Sequence, residues 1–343
     1  MLVFASVFKF QQFFENLKRE VVEVLYSDEQ RFCSYCINPA DLGVLNPTTG
    51  KILNFHSGND DLFCEICYEI FRDNKFPERS YFDQEWNDYL SARPKLLFAY
   101  SGGLDSTVVL ALLVESCRQK NIDLEIFTIK TGVKGSKTHN NIDAVLNWLN
   151  IRDNHFYVDI QDENQDSGVS TLNVYLQCFK AGILPCGKIC NSIIDHVYQS
   201  IMQERGHKEL ITGGDTPKLN KFRKYSLFWE KSNGLVVVRG GYAFNLSKKF
   251  NRDFVEEHNI PWINPECGGY DTDCLVPGAF FRRKLQGNRK ISLKKVISEF
   301  PIILDYLAER ARFGVYDRNE ALFLLTHVDI ASLSSYEEFN QIS

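Results

Sequence analysis

The sequence predicts an α/β protein, a doubly wound parallel sheet with a cysteine-rich N-terminal segment and a small helical C-terminal cap. Three observations support this. Between residues 96 and 239, apolar runs of strand length alternate with segments of helical periodicity. A glycine pair, Gly102-Gly103, follows the first apolar run and precedes an apolar helix. Two Cys-x2-Cys pairs lie upstream of this region.

The composition excludes several classes of protein. The chain has 343 residues, of which 44% are hydrophobic and 24% charged, as in soluble globular proteins. With a net charge of −5, the chain as a whole does not attract nucleic acid, although a local basic patch on its surface is still compatible with this net charge. No apolar stretch has the length of a membrane span, and residues 1–14 lack the cleavage site of a signal peptide. Ten cysteines, mostly in short-spaced sets, favour metal binding in a reducing compartment, so we expect a cytoplasmic protein.

The N-terminal segment, residues 1–30, is predicted to be helical. Residues 7–26 carry apolar side chains at helical spacing, namely Phe10, Phe13, Phe14, Leu17, Val21, Val24 and Leu25. We interpret this segment as a packing helix. The alternative is a partner-binding helix, such as the interface of a homodimer.

Residues 31–93 are predicted to form a four-cysteine zinc ribbon followed by a helical linker. The ligands would be Cys33, Cys36, Cys64 and Cys67. Cysteine pairs of this spacing sit in tight turns and converge on a tetrahedral Zn2+, which would fold so small a module. The alternative is four buried free cysteines. Residues 46–50 are predicted as a turn between short strands, 82–90 as the linker helix, and Pro94 as the domain boundary.

The stretch 96–107 predicts a phosphate site. An apolar strand, 96–100, is followed by a glycine turn and a helix, so free backbone N–H groups and the positive end of the helix dipole meet at one place. The turn has no lysine and is therefore not the lysine-bearing mononucleotide loop. The alternative is a glycine turn without a ligand. The candidate binding residues are Tyr100, Ser101, Gly102, Gly103, Leu104, Asp105, Ser106 and Thr107.

The order Ser-Gly-Gly-Leu-Asp-Ser resembles the SGGxDS signature of the PP-loop (N-type) ATP pyrophosphatase superfamily, which has an adenine nucleotide α-hydrolase-like fold. The resemblance implies that residues 94–275 bind Mg2+ and ATP. The loop would hold the pyrophosphate end of ATP while a substrate oxygen attacks the α-phosphate, giving an adenylated substrate and pyrophosphate. It also implies that Asp105 orders the loop or the metal, so Asp105 and Ser106 are catalytic candidates.

Further strands are predicted at 124–129 and 155–160, with a helix at 140–149 between them. Parallel strands of this kind bind ligands at their carboxyl ends. In the PP-loop superfamily the end of the second strand lies near the adenosine, so the resemblance makes Ile129, Lys130 and Thr131 adenosine contacts. An ordinary strand exit is the alternative. The polar residues 161–172 are predicted to be a mobile loop over the site.

The second half of the domain resembles the tRNA-thiolating PP-loop enzymes. A cysteine pair precedes a helix, 192–202, and a strand, 209–212, that ends in Gly213 and Asp215. The resemblance implies that this acidic loop helps to bind Mg–ATP, and a plain turn aspartate is the alternative. A strand at 235–239 and a helix at 245–258 follow. The thiolating enzymes show a similar strand and helix, so the resemblance makes Arg239 and Lys248 phosphate-side cations, and structural ion-pair roles are the alternative.

A second cysteine set consists of Cys186, Cys190, Cys267 and Cys274. In one branch of the thiolating enzymes three cysteines hold a [4Fe-4S] cluster, and the matching residues are Cys186, Cys190 and Cys267. The first pair here has the spacing Cys-x3-Cys. Cys274 could supply a fourth thiolate ligand, and the site would then hold zinc or an iron–sulfur cluster without an open coordination position. Alternatively Cys186 and Cys190, our remaining catalytic candidates, are persulfide and disulfide partners without metal. Purely structural cysteines are the third alternative.

Two functions follow from these resemblances. The first is transfer of sulfur to a tRNA base, with a sulfur carrier as partner. The second is ammonia-dependent transfer of nitrogen to an N-acetyl sugar or nucleotide sugar for cell-surface polysaccharide. A separate glutaminase would then supply ammonia, and residues 81–86 resemble the linker of such amidotransferases. A nucleotide-binding module without turnover is a third class. In the region 276–343, predicted to be helical, the basic stretch 280–295 is either a nucleic-acid contact or a solvated helix face.

Overall fold

A computed structural model describes residues 78–134, 136–160, 171–186, 188–220, 224–264 and 301–329. It also describes short pieces at 21–25, 44–45, 52–53, 66–67, 274, 276–277, 280 and 290–292. The strands are β1 (Val21–Leu25), β2 (Val44–Leu45), β3 (Ile52–Leu53), β4 (Lys95–Ala99), β5 (Asp123–Lys130), β6 (His155–Asp159), β7 (Glu209–Thr212), β8 (Lys218–Leu219), β9 (Tyr225–Ser226), β10 (Phe228–Glu230), β11 (Val236–Arg239), β12 (Lys290–Ser292) and β13 (His327–Asp329). The helices are α1 (Arg79–Ser91), α2 (Leu104–Lys120), α3 (Ser136–Trp148), α4 (Thr171–Ala181), α5 (Lys188–Arg205), α6 (Gly240–Ala243), α7 (Lys248–Glu257), α8 (Pro301–Arg312) and α9 (Arg318–Thr326), with a 3-10 turn at Arg152–Asn154.

The central sheet has the strand order β10-β11-β7-β4-β5-β6. Every pair in it is parallel except β10 with β11. Numbered along the chain, the five parallel strands have the order 3-2-1-4-5, which is the doubly wound arrangement. The predicted α/β class with a mainly parallel sheet is therefore confirmed.

The side chains of β4 divide the core into two layers. Leu96 and Phe98 belong to one buried cluster, which includes apolar residues of α1, α2 and α3. Leu97 and Ala99 belong to a second cluster, together with residues of α5. Successive residues of a strand point to opposite faces, so helices cover the sheet on both sides. This packing fixes the carboxyl ends of the strands, where the candidate site lies.

His155 at the start of β6 contributes a pH-dependent term to stability. Its Nε2 lies 2.9 Å from Thr128 Oγ1 on β5. Burial, and then the charge of Arg152, lowers the pKa of His155 from 6.5 to about 4. The unfolded chain therefore binds this proton more tightly than the folded protein does. The stability that depends on a neutral His155 is therefore fully present above pH 6.5, and it is lost as the pH falls towards 4.

We expect the free energy of unfolding to fall by about 2 kcal/mol more between pH 7 and pH 4 in the wild type than in His155→Gln, after allowance for solvent screening. Urea unfolding at each pH measures this difference. Parallel pH profiles of the two proteins would show that His155 is not the group responsible.

The chain termini depart from the predicted helices. Residues 21–25 form β1, which pairs in parallel with β12 and antiparallel with β13, so the helix predicted over 7–26 is wrong for these residues. The sequence Val-Val-Glu-Val-Leu is rich in β-branched residues, which favour strands. Residues 1–20 lie outside the described part. The C-terminal region contains α8 and α9, but β12 and β13 contradict a purely helical region there.

The elements that flank the central sheet agree with the prediction in some places and differ from it in others. The antiparallel pair β2–β3 fits the turn predicted at 46–50, and α1 fits the linker helix. Helix α4 was not predicted, and it includes residues 171 and 172, so the loop prediction is wrong for these two residues. The mobile loop predicted over 161–172 lies outside the described residues up to 170. Among the helices described, none combines the length and apolar character needed to cross a membrane.

Candidate active site

The candidate site lies where the strand order reverses. β4 and β7 are neighbours, and the chain leaves them towards opposite halves of the sheet. Ligands of doubly wound proteins bind in the crevice at this point, outside the carboxyl ends of the strands. The end of β4 carries the segment Ser101–Thr107, which we call the phosphate loop, and the end of β7 carries Gly213 and Asp215. The fold thus brings together the two segments that the sequence singled out.

Glycine is required where the phosphate loop turns. Gly102 has a φ of 79°, and a Cβ there would lie 2.8 Å from Ile142 Cγ1 on α3. Gly103 occupies the N-cap position of α2, so the cap residue has no side chain to bind the first N–H groups. Uncapped N–H groups and the helix dipole favour an anion at this place. The loop is therefore shaped to accept a phosphate group.

The hydroxyl groups of the loop have different roles. Tyr100 and Thr107 are buried, and their hydroxyl oxygens lie 3.0 Å apart, so they fasten strand β4 to helix α2. Ser101 is exposed, and its Oγ lies 2.8 Å from Ser106 Oγ. Ser106 Oγ also donates to the Gly103 carbonyl at 3.0 Å. Among these hydroxyls, that of Ser101 is the best placed to reach a phosphate.

Asp105 is bound to helix α7. Its carboxylate forms an ion pair with Lys248, whose side chain is only 2% exposed. Its other oxygen accepts a hydrogen bond of 2.8 Å from Asn251 Nδ2. Ser247 caps α7 by accepting from Phe250 N at 3.1 Å, which sets where the helix begins. Asp105 therefore orders the loop, and Lys248 places a buried positive charge beside it.

Asp215 is held in a network of cations. It is 2% exposed and accepts a hydrogen bond of 2.8 Å from Arg310 Nε on α8. Burial tends to raise the pKa of Asp215, but Arg310, Lys248 and Arg239 outweigh it and hold that pKa below its usual value. Arg239 donates to the Thr216 carbonyl at 3.0 Å. Asp215 therefore remains a carboxylate and organises the positive charge of the site.

The two carboxylates do not form an obvious Mg2+ site. Asp105 is paired with Lys248 and Asn251, and Asp215 with Arg310. Oδ1 of Asp215 is buried without a hydrogen-bond partner. A divalent cation at that oxygen would lie among three cationic side chains, which is unfavourable. These residues fit the binding of phosphate better than that of a resident metal.

The end of β7 packs closely against the phosphate loop. A Cβ on Gly213 would lie 2.8 Å from Ser106 Cα and 2.9 Å from Ser106 N. Real Cβ atoms do not approach backbone this closely, so a larger residue would push the loop away from the sheet.

We expect Gly213→Ala to lower the free energy of unfolding by about 1–3 kcal/mol, as in other overpacked sites. It should also weaken ATP binding, because the N–H groups of the loop would move. Urea unfolding and calorimetric titration measure the two effects. Wild-type values for both would mean that the close contact is not needed.

The three residues predicted to contact adenosine have different surroundings in the structure. Thr131 is buried, and its Oγ1 has no hydrogen-bond partner. Lys130 turns its ammonium group onto the ring of Tyr157, 4.2 Å from the centroid. Ile129 packs against the second core cluster. Thr131 is therefore the one of the three that is suited to a ligand contact.

Three residues contact the site without any signal in the local sequence. Trp262 Nε1 donates to the Gly102 carbonyl at 3.0 Å, and Lys134 Nζ donates to the Ser101 carbonyl at 2.7 Å. Thr138 is fully buried next to Gly102, and its Oγ1 has no partner. These residues are distant in sequence from the loop or follow no motif, so only the tertiary structure reveals them.

The second cysteine set gathers in part around Tyr175. The phenol donates a hydrogen bond of 3.2 Å to Cys190 Sγ. Burial raises the pKa of Tyr175, and the nearby thiols of Cys190, Cys274 and Cys186 raise it further. Cys274 also forms a β-bridge with Lys134, which contacts the phosphate loop. Cys190 and Cys274 pack against the same apolar cluster, and Lys134 links this cluster to the loop.

Four of the eight cysteines predicted as metal ligands lie outside the described residues. Cys267 lies outside the described residues, as do Cys33, Cys36 and Cys64. Within the described part, no three His, Cys, Asp or Glu side chains are arranged to hold a metal ion. Cys67 is buried, and its sulfur accepts a hydrogen bond of 3.2 Å from Arg312 Nε. Zinc and the iron–sulfur cluster therefore stay predictions.

Comparison with known proteins gives a distant sequence relative. No protein-family model matches the chain. An uncharacterized protein of Methanocaldococcus jannaschii is 25% identical over 300 residues, which cover 84% of this chain and 91% of the relative.

Three solved structures resemble the chain. A U34-tRNA thiolase from Methanococcus maripaludis, determined with its [4Fe-4S] cluster, has a TM-score of 0.40 and 13% identity, over 82% of this chain and 87% of that chain. An NH3-dependent NAD synthetase from Campylobacter jejuni has a TM-score of 0.33 and 11% identity, over 72% and 96%. An NMN synthetase from Francisella tularensis has a TM-score of 0.34 and 13% identity, over 77% and 97%. These similarities are distant, so the detailed function rests on the loop and its geometry.

Proposed function

We propose that this chain is a PP-loop ATP pyrophosphatase that adenylates a substrate oxygen and then transfers sulfur to the activated carbon. One observation supports the first half most strongly. An SGGLDS loop opens an uncapped helix at the switch point of a 3-2-1-4-5 sheet, and behind it the buried Lys248 pairs with Asp105. The arrangement suits the pyrophosphate end of ATP.

In the first step a substrate oxygen attacks the α-phosphorus. An oxygen–phosphorus bond forms, the bond from the α-phosphorus to the α,β-bridging oxygen breaks, and pyrophosphate leaves with the electron pair. The N–H groups of the phosphate loop and the dipole of α2 stabilise the negative charge of the leaving group. Lys248 adds a positive charge that burial leaves poorly screened. Asp105 keeps Lys248 and the loop in fixed positions.

In the second step a sulfur nucleophile attacks the adenylated carbon. A carbon–sulfur bond forms, the carbon–oxygen bond breaks, and AMP leaves with the original oxygen. Sulfur transfer is favoured by the position of Cys186, Cys190 and Cys274, since Cys274 bridges to Lys134 and Lys134 contacts the loop. In this proposal these thiols deliver the sulfur. The acceptor in this proposal is a tRNA base.

Nitrogen transfer to an N-acetyl sugar is the alternative, and it rests on residues 81–86. Several of these residues have packing roles. Phe82 and Trp86 are buried in the core, and Glu85 accepts a hydrogen bond of 2.8 Å from Leu227 N. The resemblance of this segment to amidotransferase linkers is therefore also explained by its contacts.

A substrate screen tests both halves of the proposal. Purified protein is incubated with ATP and either tRNA plus sulfide or an N-acetyl sugar plus ammonia, and pyrophosphate release is measured. We expect tRNA plus sulfide to stimulate release and mass spectrometry to show a thiolated nucleoside. Stimulation only by sugar and ammonia would favour the alternative, and no stimulation by either would contradict the proposal.

Ser101→Ala tests the role of the phosphate loop in the same assay. We expect a loss of about 100-fold in pyrophosphate release, as when one donor to a developing charge is removed. Ser116→Ala is the matched control, because Ser116 lies on the helix that follows the loop and its hydroxyl donates only to the Leu112 carbonyl, at 2.9 Å. Equal activity of the two variants would exclude Ser101 from the site.

A further inference from the structure

A buried phenol contacts one sulfur of the second cysteine set. Tyr175 is 1% exposed and sits in an apolar cluster with Val133, Val276 and Phe280. Its hydroxyl donates to Cys190 Sγ at 3.2 Å, within the usual range for sulfur acceptors. A phenol that is enclosed in this way has few conformations, so it holds the sulfur of Cys190 in one position.

The same cluster places Cys190 in reach of the phosphate loop region. Cys190 and Cys274 both pack against the cluster that contains Tyr175. Val133 belongs to this cluster, and the next residue, Lys134, bridges to Cys274 and donates to the Ser101 carbonyl at 2.7 Å. The contacts run from the sulfur of Cys190 through packed side chains to the loop.

We propose that Tyr175 is a positioning residue that directs the sulfur of Cys190 for loading with a transferable sulfur atom. The inference rests on the proposed sulfur-transfer function. In the loading step the Cys190 thiolate attacks the outer sulfur of a small-molecule persulfide. A new S–S bond forms to Cys190, the S–S bond of the donor breaks, and the donor leaves as a thiolate. No net oxidation occurs, since a sulfane sulfur moves from one thiol to another.

The hydrogen bond gives Tyr175 two effects on this step. It fixes the direction in which the Cys190 sulfur presents its lone pairs, and it stabilises negative charge on that sulfur. Both effects require the hydroxyl and not the ring. Tyr175→Phe therefore removes the contact while keeping the packing of the apolar cluster.

The test measures sulfur loading at each cysteine. The full chain is reduced and then treated with glutathione persulfide, and the sulfane sulfur on each cysteine peptide is followed by mass spectrometry. We expect Tyr175→Phe to slow loading of Cys190 about tenfold, the size of a hydrogen bond to a charged group. Loading of Cys178 and Cys117 should not change. Tyr198→Phe is the matched control, because this tyrosine lies on the same helix as Cys190, eight residues away, and packs edge-on against Phe127.

Three results would overturn the inference. One is wild-type loading of Cys190 in Tyr175→Phe. Another is an equal slowing at all cysteines together with a lower unfolding temperature, which would assign Tyr175 to packing alone. The third is a wild-type protein that takes up no sulfur at Cys190. Failure of the proposed function is detected in a different experiment, because it would appear as an absence of pyrophosphate release with tRNA and sulfide and not as a change in sulfur loading.

Discussion

Replacing Lys248 with methionine is expected to lower the free energy of unfolding by about 3–5 kcal/mol, because the Asp105 carboxylate would lose its buried partner. The Lys248 side chain is 2% exposed and that of Asp105 is 21% exposed, so the carboxylate would keep its hydrogen bond from Asn251 but only limited access to water. Pyrophosphate release should fall by about 100-fold, since the loop loses both its support and a buried cation. Urea unfolding and the tRNA–sulfide assay measure the two effects.

Lys249→Met is the matched control for Lys248→Met. Lys249 is the next residue on α7, and its ion pair with Asp253 has side chains that are 79% and 46% exposed. Exposed pairs of this kind contribute about 0–1 kcal/mol. The double variant Asp105→Asn/Lys248→Met separates stability from activity. We expect it to regain much of the lost stability but not pyrophosphate release. Recovery of both would show that the pair is structural only.

Replacing Arg310 with methionine is expected to have an effect of similar size on stability, about 3–5 kcal/mol, because it leaves Asp215 buried without its hydrogen-bond donor. The side chains of Arg310 and Asp215 are 13% and 2% exposed. Arg310 also stacks on Tyr306, 3.4 Å from the ring centroid, so the substitution removes a cation–π contact as well. ATP binding should weaken, since Asp215 follows Gly213, which packs on Ser106.

Arg252→Met provides the comparison for Arg310→Met. Arg252 joins α7 to Glu320 on α9 with an ion pair of 2.6 Å, and its side chain is 41% exposed. We expect a change of no more than about 1 kcal/mol and normal ATP affinity. If Arg310→Met behaves like Arg252→Met in urea unfolding and calorimetric ATP titration, the Asp215 network is not part of the nucleotide site.

The central strands and the phosphate loop were predictable because their signals are local. The apolar runs at β4, β5, β6, β7 and β11 have strand length and lie between helical segments. The glycines of the loop occur where the backbone must turn, and the order Ser-Gly-Gly-Leu-Asp-Ser is specific. The sequence therefore indicated the parallel strands and the residues at their carboxyl ends, whereas the strand order came from the structure.

The partners of the site's carboxylates were not predictable from local sequence. Lys248 is 143 residues from Asp105, and Arg310 is 95 residues from Asp215. Lys248 was a candidate cation, but its carboxylate partner was not identified, and Arg310 carried no signal. Such pairs depend on how α7 and α8 pack against the sheet, which periodicity does not specify.

The N-terminal strand was missed for a different reason. Residues 21–25 continue an apolar pattern that also fits a helix, and short apolar segments are ambiguous between the two structures. Their partners, β12 and β13, come from the other end of the chain. Long-range pairing therefore decides the conformation of this segment.

The products formed from the phosphates of ATP test the central claim most directly. The protein is incubated with Mg–ATP and the acceptor that stimulates turnover, and 31P NMR identifies the phosphorus species over time, with Ser101→Ala as the reference. We expect AMP and pyrophosphate in equal amounts, because the proposed attack at the α-phosphorus releases the β- and γ-phosphates together. Formation of ADP and inorganic phosphate would contradict the account.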